Sequence, residues 1–365
     1  MKKRELIQSE ALRKSLEYYR CGLAISMGVG KTRIGIQHIQ KNYNQFLNVL
    51  VVAPKVSIFK SWDDELEKLG LNDLKEHINY TTYISLNKRN PNEYDIIYLD
   101  ECHNLLSSHE DFLKSFKGKI LGLTGTPPVN KNTEKYKMVQ KFCPIVFEFT
   151  VDDATDTKIL NDYQIIIHEL ELSKLKSYKK KNKNGGFWYS SEKSDYDYFT
   201  NLVNEAQTPK QKQFTSIMRM RALMDYNTKE DYLKGLITNI KQKCIIFANT
   251  QEQADRISKH SYHSSNPQSD HNLKLFSDGR VDVLSCVMQL SEGVTIPDLQ
   301  QGIIMHAFGN ERKSAQRLGR MLRLSPEKLA TCHILCYKGT VDEMWVKTAL
   351  KSFDQSKIKI YNPLL

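Results

Sequence analysis

Residues 23–32 read LAISMGVGKT, a short apolar run followed by a glycine-rich turn and a Lys-Thr pair. Residues 33–39 continue with helical spacing, so the segment predicts a strand, a turn and a helix in that order. Such a turn lets backbone N–H groups close around phosphate oxygens, and the helix start adds the positive end of its dipole. The segment therefore predicts a phosphate-binding loop. The strict pattern has glycine where this chain has Ile25, so a glycine turn before an amphipathic helix stays the alternative.

Each polar or glycine position of this loop has an expected role. Gly28 and Gly30 would shape the backbone around the phosphates of a nucleotide. Lys31 is expected to pair with the β- and γ-phosphates, and Thr32 to hold Mg²⁺. The loop thus predicts ATP and Mg²⁺ as the ligands of the chain.

A second candidate segment reads DIIYLD at residues 95–100 and continues with Glu101, Cys102 and His103. A carboxylate at the carboxyl end of a buried strand suits Mg²⁺, and the adjacent Glu101 can polarise an attacking water as general base. An N-cap Asp before a helix is the alternative for Asp100. We expect this strand and the strand of the phosphate loop to be neighbours in one sheet. His103 is interpreted as a link towards a second lobe or as a polar strand-end residue.

The distribution of apolar runs predicts an α/β fold of two doubly wound parallel-sheet domains. Short, largely apolar runs of the kind found in central parallel strands occur in both halves of the chain. They lie at residues 49–54, 95–100, 120–126, 244–248, 281–287, 302–308 and 331–337. Helices are expected between them, at residues 57–69, 251–260 and 314–323. We expect a first domain at 1–155 and a second at 156–365, with a Lys- and aromatic-rich insertion about 174–200 that forms an exposed loop.

Composition excludes several classes of protein. The chain has 365 residues, 40% hydrophobic and 26% charged, which is typical of globular domains rather than of disordered or fibrous proteins. No run approaches the ~18–20 apolar residues that span a bilayer, and the basic amino terminus lacks the apolar core of a signal peptide. The seven scattered cysteines, without a CxxC pair, favour a reducing compartment over a disulfide framework or a zinc site. A cytoplasmic protein of a bacterial or phage-infected cell is expected, with no membrane partner.

The net charge of +11 is concentrated at the two ends of the chain. Residues 1–150 carry 22 basic and 17 acidic side chains, residues 151–240 carry 14 and 13, and residues 241–365 carry 17 and 12. The segment charges are therefore +5, +1 and +5. A polyanion held by two basic lobes would explain this pattern, and charge that merely keeps the protein soluble is the alternative.

Four ordered motifs resemble those of superfamily 2 helicases and translocases. They are Lys31-Thr32, the DECH box at 100–103, TGTP at 124–127 and QRLGRMLR at 316–323. The resemblance covers about residues 5–340 and implies two tandem RecA-like domains with ATP at the cleft between them. The activity it implies is nucleic-acid-dependent ATP hydrolysis.

The resemblance also implies roles for individual residues. Gln8 stands where the family has an adenine-reading glutamine, and Gly293, in SEGVTIP at 291–297, would lie near the nucleotide. Gln316, Arg320 and Arg323 match the sixth motif, whose arginines reach the γ-phosphate; their i, i+4 and i+7 spacing places them on one helix face. The remaining matches are coupling or nucleic-acid positions, namely Lys55, His103, Thr124, Gly125 and Thr126.

The motifs point to two branches of the superfamily. The VLVVAP run at 49–54, followed by Trp62 and Glu65, is similar to Swi/Snf-type DNA translocases. The second lobe, with FSDG at 276–279, resembles XPB-like and phage UvsW-like DNA helicases. DNA is therefore expected as the track, held through its backbone without sequence reading, in replication, recombination or repair and with protein partners from those processes.

Four other functions stay open at this stage. They are a duplex-DNA translocase that does not unwind, an RNA helicase, the motor subunit of a defence complex, and a binding module with an inactive ATPase site. The exposed insertion has two interpretations of its own. Phe187-Trp188-Tyr189 beside the lysines of 179–183 could stack on bases, or could be a flexible basic loop with an aromatic anchor.

Overall fold

The computed structural model describes residues 3–26, 28–181, 185–287, 296, 298–306, 328–351 and 353–363. The chain forms two compact units, and the first gives way to the second between Asp162 and Tyr163. The sixth-motif residues 316–323 and the 291–295 part of SEGVTIP lie outside the described residues. The helix expected at 314–323 lies outside them as well.

The first unit alternates strands with helices. Its strands are β1 (Arg20–Ile25), β2 (Val49–Ala53), β3 (Ile78–Thr82), β4 (Ile96–Asp100), β5 (Lys119–Thr124) and β6 (Ile145–Phe149). Its helices are α1 (Lys3–Leu16), α2 (Lys31–Asn42), α3 (Ser57–Lys68), α4 (Glu110–Ser115), α5 (Glu134–Phe142) and α6 (Val151–Asp156). The strands form one parallel sheet in the order β3-β2-β4-β5-β1-β6. In a parallel sheet all carboxyl ends meet at one edge, so the sheet brings the ends of β1, β4 and β5 together.

One expectation about this sheet is wrong. The strand of the phosphate loop, β1, and the strand that ends in Asp100, β4, are not neighbours, because β5 lies between them and pairs with both. The run at 120–126 that forms β5 is as apolar as its neighbours, and its central position buries it on both faces. Because β5 lies between β1 and β4, its last residue, Thr124, lies between the phosphate loop and the acidic pair.

The second unit holds a larger parallel sheet and an antiparallel hairpin. Its strands are β7 (Tyr163–Leu170), β8 (Tyr178–Lys181), β9 (Phe187–Ser190), β10 (Cys244–Phe247), β11 (Ser261–Tyr262), β12 (Val283–Cys286), β13 (Gln301–Ile304), β14 (Ala330–Tyr337) and β15 (Ile358–Tyr361). Its helices are α7 (Glu192–Asn204), α8 (Pro209–Asp225), α9 (Thr228–Thr238), α10 (Gln251–Ile257), α11 (Ser269–Ser277) and α12 (Val341–Ala349). The parallel sheet runs β11-β12-β10-β13-β14-β7-β15. The two parallel sheets confirm the expected doubly wound α/β architecture.

The cores lie where the apolar runs predict them. β2 and β4 are buried along their whole length, as central strands covered by helices on both sides should be. Helix α3 buries Ile58, Trp62 and Leu66, which recur every four residues, against this sheet. All seven cysteines are buried and free of disulfides. Within the described residues, no helix is long and apolar enough to cross a membrane.

The stretch at 174–200, expected to be a loop, is largely regular structure. β8 and β9 pair in antiparallel register, and α7 begins at Glu192, where Ser191 caps it by accepting a hydrogen bond from the Ser194 N–H. A loop was expected because lysines and glycines dominate the stretch, but a two-stranded hairpin tolerates both when its strands stay exposed. The exposure that the sequence predicts for this insertion is observed at residues 185–189.

Candidate functional site

The phosphate loop lies between β1 and α2. Gly28 and Gly30 have φ angles of 85° and 108°, a region that residues with a Cβ rarely adopt. A Cβ on Gly30 would lie 2.7 Å from Gln8 Nε2, so a side chain there would also displace the Gln8 amide. Gly30 precedes α2 and no side chain caps the helix, which leaves its first N–H groups to a ligand. This helix start, with Lys31 and Thr32 as its first residues, can bind phosphate.

Helix α1 supports the loop from behind. Gln8 is buried and donates a hydrogen bond from Nε2 to the Val29 carbonyl at 2.7 Å. Arg4 donates from Nε to the same carbonyl at 2.9 Å. The two donors therefore hold the backbone of the loop in place. No sequence signal had pointed to Arg4.

The acidic pair follows β4. Asp100 is its last residue and is buried, and it accepts a hydrogen bond on Oδ2 from the Trp62 indole N–H at 2.9 Å. Burial, together with the charge of Glu101, raises the pKa of Asp100 to about 6, although the Trp62 bond and Lys31 act in the opposite direction. Two carboxylates, Asp100 and Glu101, thus lie near one lysine ammonium group, that of Lys31. That is the condition in which a divalent cation is stabilised.

Glu101 has an unusual backbone and an incompletely bonded carboxylate. Its φ of 52° lies in the left-handed region, which for a residue other than glycine stores strain and is frequent at functional sites. Oε1 lies 3.7 Å from Lys31 Nζ, and Oε2 lies 3.3 Å from His103 Nδ1. Yet Oε2 is buried and makes no hydrogen bond of acceptable geometry within the described part of the chain. A buried carboxylate oxygen in this state suits a water molecule that it can polarise.

His103 connects the acidic pair to the end of β5. Its Nδ1 shares a hydrogen bond with Thr124 Oγ1 at 2.8 Å, and Thr124 Oγ1 also accepts the Thr126 N–H at 3.1 Å. Of the two interpretations of His103, the polar strand-end residue is the one whose contacts are described. Thr126 Oγ1 is buried without a hydrogen-bond partner among the described residues. The polar chain thus runs from Glu101 through His103 to Thr124 and Thr126.

The remaining candidates lie apart from this cluster or outside the described residues. Lys55 is exposed directly after β2, beside Val56, which is 67% exposed. Gly125 follows the last residue of β5. The structure does not describe Gly293, Gln316, Arg320 and Arg323, so their roles stay predictions.

Trp62 is the functional contact that sequence reasoning missed. The sequence places it on the apolar face of α3, where it packs edge-on against Tyr98 at 5.8 Å between ring centroids. Only the pairing of β2 with β4 shows that the helix after β2 can reach the end of β4. Helical spacing predicts the burial of Trp62 but not the direction of its N–H.

The residues present fit a nucleoside triphosphate with a divalent cation. The uncapped start of α2 and Lys31 offer donors to phosphate oxygens, and Thr32 and Asp100 offer oxygen ligands. Within the described residues no three His, Cys, Asp or Glu side chains converge on a metal position. Mg²⁺ commonly takes one or two protein oxygens and completes its shell with phosphates and water, so a small protein ligand set suits it.

Comparison with known proteins gives family matches in both units. Residues 3–129 match the family described as type III restriction enzyme, res subunit, and residues 228–325 match the helicase conserved C-terminal domain. The DNA 3'-5' translocase XPB2 of Sulfurisphaera tokodaii is 25% identical, over 92% of this chain and 82% of the relative.

Two solved structures share the fold of the whole chain. The type ISP restriction-modification enzyme LlaBIII bound to DNA aligns over 100% of this chain at 15% identity, with a TM-score of 0.63. This chain spans only 31% of that enzyme. A fragment assigned to an HsdR subunit of a type I restriction enzyme from Vibrio vulnificus aligns over 98% of this chain and 68% of its own length, at 16% identity and a TM-score of 0.63.

The two successive parallel sheets define a two-domain α/β protein with the fold of tandem RecA-like domains. Within that class, the family matches and the translocase relative place the chain in superfamily 2 of helicases and translocases. The protein is therefore a nucleic-acid-dependent ATPase.

Proposed function

We propose that the chain uses ATP to move along DNA, as a helicase or translocase that grips the DNA backbone without reading sequence. The observation that carries this proposal is the polar cluster at one edge of the first sheet, which combines the phosphate loop with Asp100 and Glu101. The Sulfurisphaera tokodaii relative is a DNA translocase, which supports DNA as the track. The basic excess in both terminal segments, +5 in each, supports a polyanionic track as well.

In this proposal each residue of the first unit has one task. Lys31 and the N–H groups at the start of α2 bind the phosphates of ATP. Glu101 orients the attacking water and accepts its proton at the carboxylate oxygen that has no hydrogen bond. Mg²⁺, held by Thr32 and Asp100, would neutralise charge that develops on the phosphates.

Movement requires that hydrolysis be communicated to the track. A polar series connects the hydrolytic carboxylate to the end of β5: His103 Nδ1 lies 3.3 Å from Glu101 Oε2 and shares a hydrogen bond with Thr124 Oγ1. Thr124, Gly125 and Thr126 would transmit the change, with Lys55 as a backbone contact. Gly293, Gln316, Arg320 and Arg323 would act from the second domain, and Gln8 would read the base.

An ATPase assay with single-stranded, duplex and forked DNA and with RNA tests the proposal. We expect stimulation by DNA and loss of activity in Lys31→Ala. Strand separation from a forked duplex would indicate a helicase, and displacement of a triplex-forming strand without separation would indicate a translocase. Stimulation by RNA alone would reject DNA as the track.

A second candidate is the motor subunit of a restriction or other defence complex. It is favoured by the match of residues 3–129 to a restriction-enzyme subunit family and by the two restriction-enzyme structures that share the fold. In that case the purified chain alone would hydrolyse ATP on duplex DNA and leave the DNA uncut. Nuclease activity would require a co-purified partner.

A further inference from the structure

The β8–β9 hairpin of the second unit exposes three consecutive aromatic side chains. Phe187, Trp188 and Tyr189 are 57%, 50% and 58% exposed. Successive side chains of a strand point to opposite faces, so this exposure shows that neither face of β9 is fully covered. Phe187 and Tyr189 therefore share one face of β9 and Trp188 lies on the other, so large apolar side chains are available for binding on both faces.

The opposite strand fixes the hairpin to the second unit. Tyr178 packs edge-on against the buried Tyr226, with ring centroids 5.6 Å apart. Lys180 Nζ lies 2.7 Å from the buried Asp195, which also accepts a hydrogen bond from the Tyr226 hydroxyl at 3.0 Å. The base of the hairpin is therefore anchored through β8, while β9 presents its aromatic residues to solvent. An anchored platform loses less conformational entropy on binding than a mobile loop would.

The segment that precedes β9 is rich in lysine. Residues 174–183 contain six lysines and no acidic residue. The strand register sets Lys179 opposite Tyr189, Lys180 opposite Trp188 and Lys181 opposite Phe187. Lys174 and Lys176, which precede β8, are exposed. The molecule that binds this surface should therefore be an anion that contains planar aromatic rings.

We propose that the β8–β9 hairpin binds unpaired nucleotides, with Trp188 and Tyr189 stacking on bases from opposite faces of β9 and the exposed Lys174 and Lys176 contacting phosphates. In a duplex each base is stacked between its neighbours, so only an unpaired strand can offer base faces to these side chains. Base–aromatic stacking of this kind is tolerant of sequence, as a motor requires. The assignment rests on the proposed function, because it takes the nucleic-acid track as given and names the part of it that this surface holds.

Tryptophan fluorescence can test the contact directly. The chain has three tryptophans, of which Trp62 is fully buried and Trp345 is partly buried against the core. Trp188 is the exposed one, so stacking of a base on it should quench the emission on addition of an oligonucleotide. Trp188→Phe should abolish most of the quench and keep the affinity for single-stranded DNA, because phenylalanine also stacks.

Binding measurements complete the test. The double variant Trp188→Ala/Tyr189→Ala should bind single-stranded DNA about tenfold or more weakly, while its affinity for blunt duplex changes less than about twofold. Phe46→Ala, which removes an aromatic side chain that is 82% exposed in the first unit, is the matched control and should bind as the wild type does. Thermal unfolding of each variant checks that the fold is retained.

The outcomes separate this proposal from the proposed function. If DNA stimulates the wild-type ATPase but the double variant binds single strands within twofold of wild type, the hairpin assignment is wrong and the motor function stands. A quench by RNA but not by DNA would support stacking and reject DNA as the track. Binding of DNA without any quench of Trp188 would overturn the stacking contact and favour a protein partner at the hairpin.

Discussion

Each of the two units buries a carboxylate, and the two carboxylates are satisfied in opposite ways. Asp100 in the first unit is neighboured by a second acid, Glu101, and its pKa is raised to about 6. Asp342 in the second unit is fully buried and receives Lys229 Nζ on Oδ2 at 2.5 Å, together with the Tyr337 N–H at 3.0 Å. The first carboxylate has an excess of negative charge around it, and the second has its own cation.

This contrast distinguishes the candidate ligand site at Asp100 and Glu101 from the structural ion pair of Lys229 and Asp342. Lys229 also donates to the Met305 carbonyl at 2.8 Å and lies 3.0 Å from His306 Nδ1, so its ammonium group is surrounded by partners inside the protein. The pair connects α9 to α12 and to the residue that follows β13. The charge at Asp100 and Glu101 is instead left for a ligand to neutralise. Burial alone therefore does not indicate function; the balance of charge does.

The largest expected effect is that of a substitution at Lys31, in the candidate ATP site of the first unit. Lys31→Ala should lower the DNA-stimulated ATPase rate by ~10³-fold, because it removes the charge that faces the phosphates. Steady-state phosphate release measures the effect. Lys41→Ala, an exposed position near the end of the same helix, is the matched control and should keep full activity. Wild-type turnover in Lys31→Ala would place the ATP site elsewhere.

Substitutions in the buried Lys229–Asp342 pair should change the stability of the protein instead of its ATPase activity. Lys229→Met should lower the free energy of unfolding by about 3–5 kcal/mol, because it leaves Asp342 buried without its cation. Lys229→Met/Asp342→Leu should recover more than half of the loss. Urea unfolding followed by circular dichroism measures both variants.

A matched lysine on the same helix provides the control for this pair. Lys234 is 74% exposed and pairs with the exposed Asp231, so Lys234→Met should change stability by less than about 0.5 kcal/mol. An equal loss in Lys234→Met and Lys229→Met would contradict the distinction between a buried and a surface pair.

The second unit also contains a buried pair of histidines, from which we predict that the stability of the protein depends on pH. His168 Nε2 lies 2.9 Å from His333 Nδ1, and the two rings also contact Tyr232 and Gln301. Burial lowers the pKa of both imidazoles to about 4, and for His168 the neighbouring His333 adds to the effect. The unfolded chain binds these protons below about pH 6.5, whereas the folded protein binds them only near pH 4.

Stability should therefore be complete above pH 6.5 and fall by about 3 kcal/mol for each imidazole as the pH decreases to 4, since the unfolded state holds more protons in that window. Unfolding in urea at several pH values, with hydrogen exchange of β7 and β14, measures the loss. His168→Gln/His333→Gln should flatten the dependence, and the exposed His271→Gln should not. A dependence that is unchanged in the double variant would reject this origin.

The smallest expected effect returns to Asp100. Trp62→Phe removes the hydrogen-bond donor to Asp100 Oδ2 and keeps an aromatic ring in the core. The loss of this hydrogen bond should weaken Mg²⁺ binding at the carboxylate by about 1 kcal/mol. We expect the Mg²⁺ concentration for half-maximal ATPase activity to rise about fivefold, with little change in the rate at saturating Mg²⁺. Trp345→Phe is the control. An unchanged Mg²⁺ requirement would show that Trp62 only packs.

Much of the site could be predicted because its signals are local. The glycines, Lys31 and Thr32 lie within one turn and the first turn of one helix, and the acidic pair directly follows one apolar strand. The apolar runs at 49–54, 95–100 and 331–337 correspond within one residue to β2, β4 and β14. Gln316, Arg320 and Arg323 rest on motif resemblance alone and remain predictions.

The sequence by itself determined the alternation of strands and helices and the identity of the polar residues at the strand ends, because periodicity and turn chemistry act over a few residues. The order of the strands was decided only by tertiary structure, and it placed β5 between β1 and β4 and Thr124 beside His103. The partners of Asp100 and Asp342 were decided in the same way, since Trp62 is 38 residues from the first and Lys229 is 113 residues from the second. Such contacts depend on which elements pack together, and no local pattern encodes that choice.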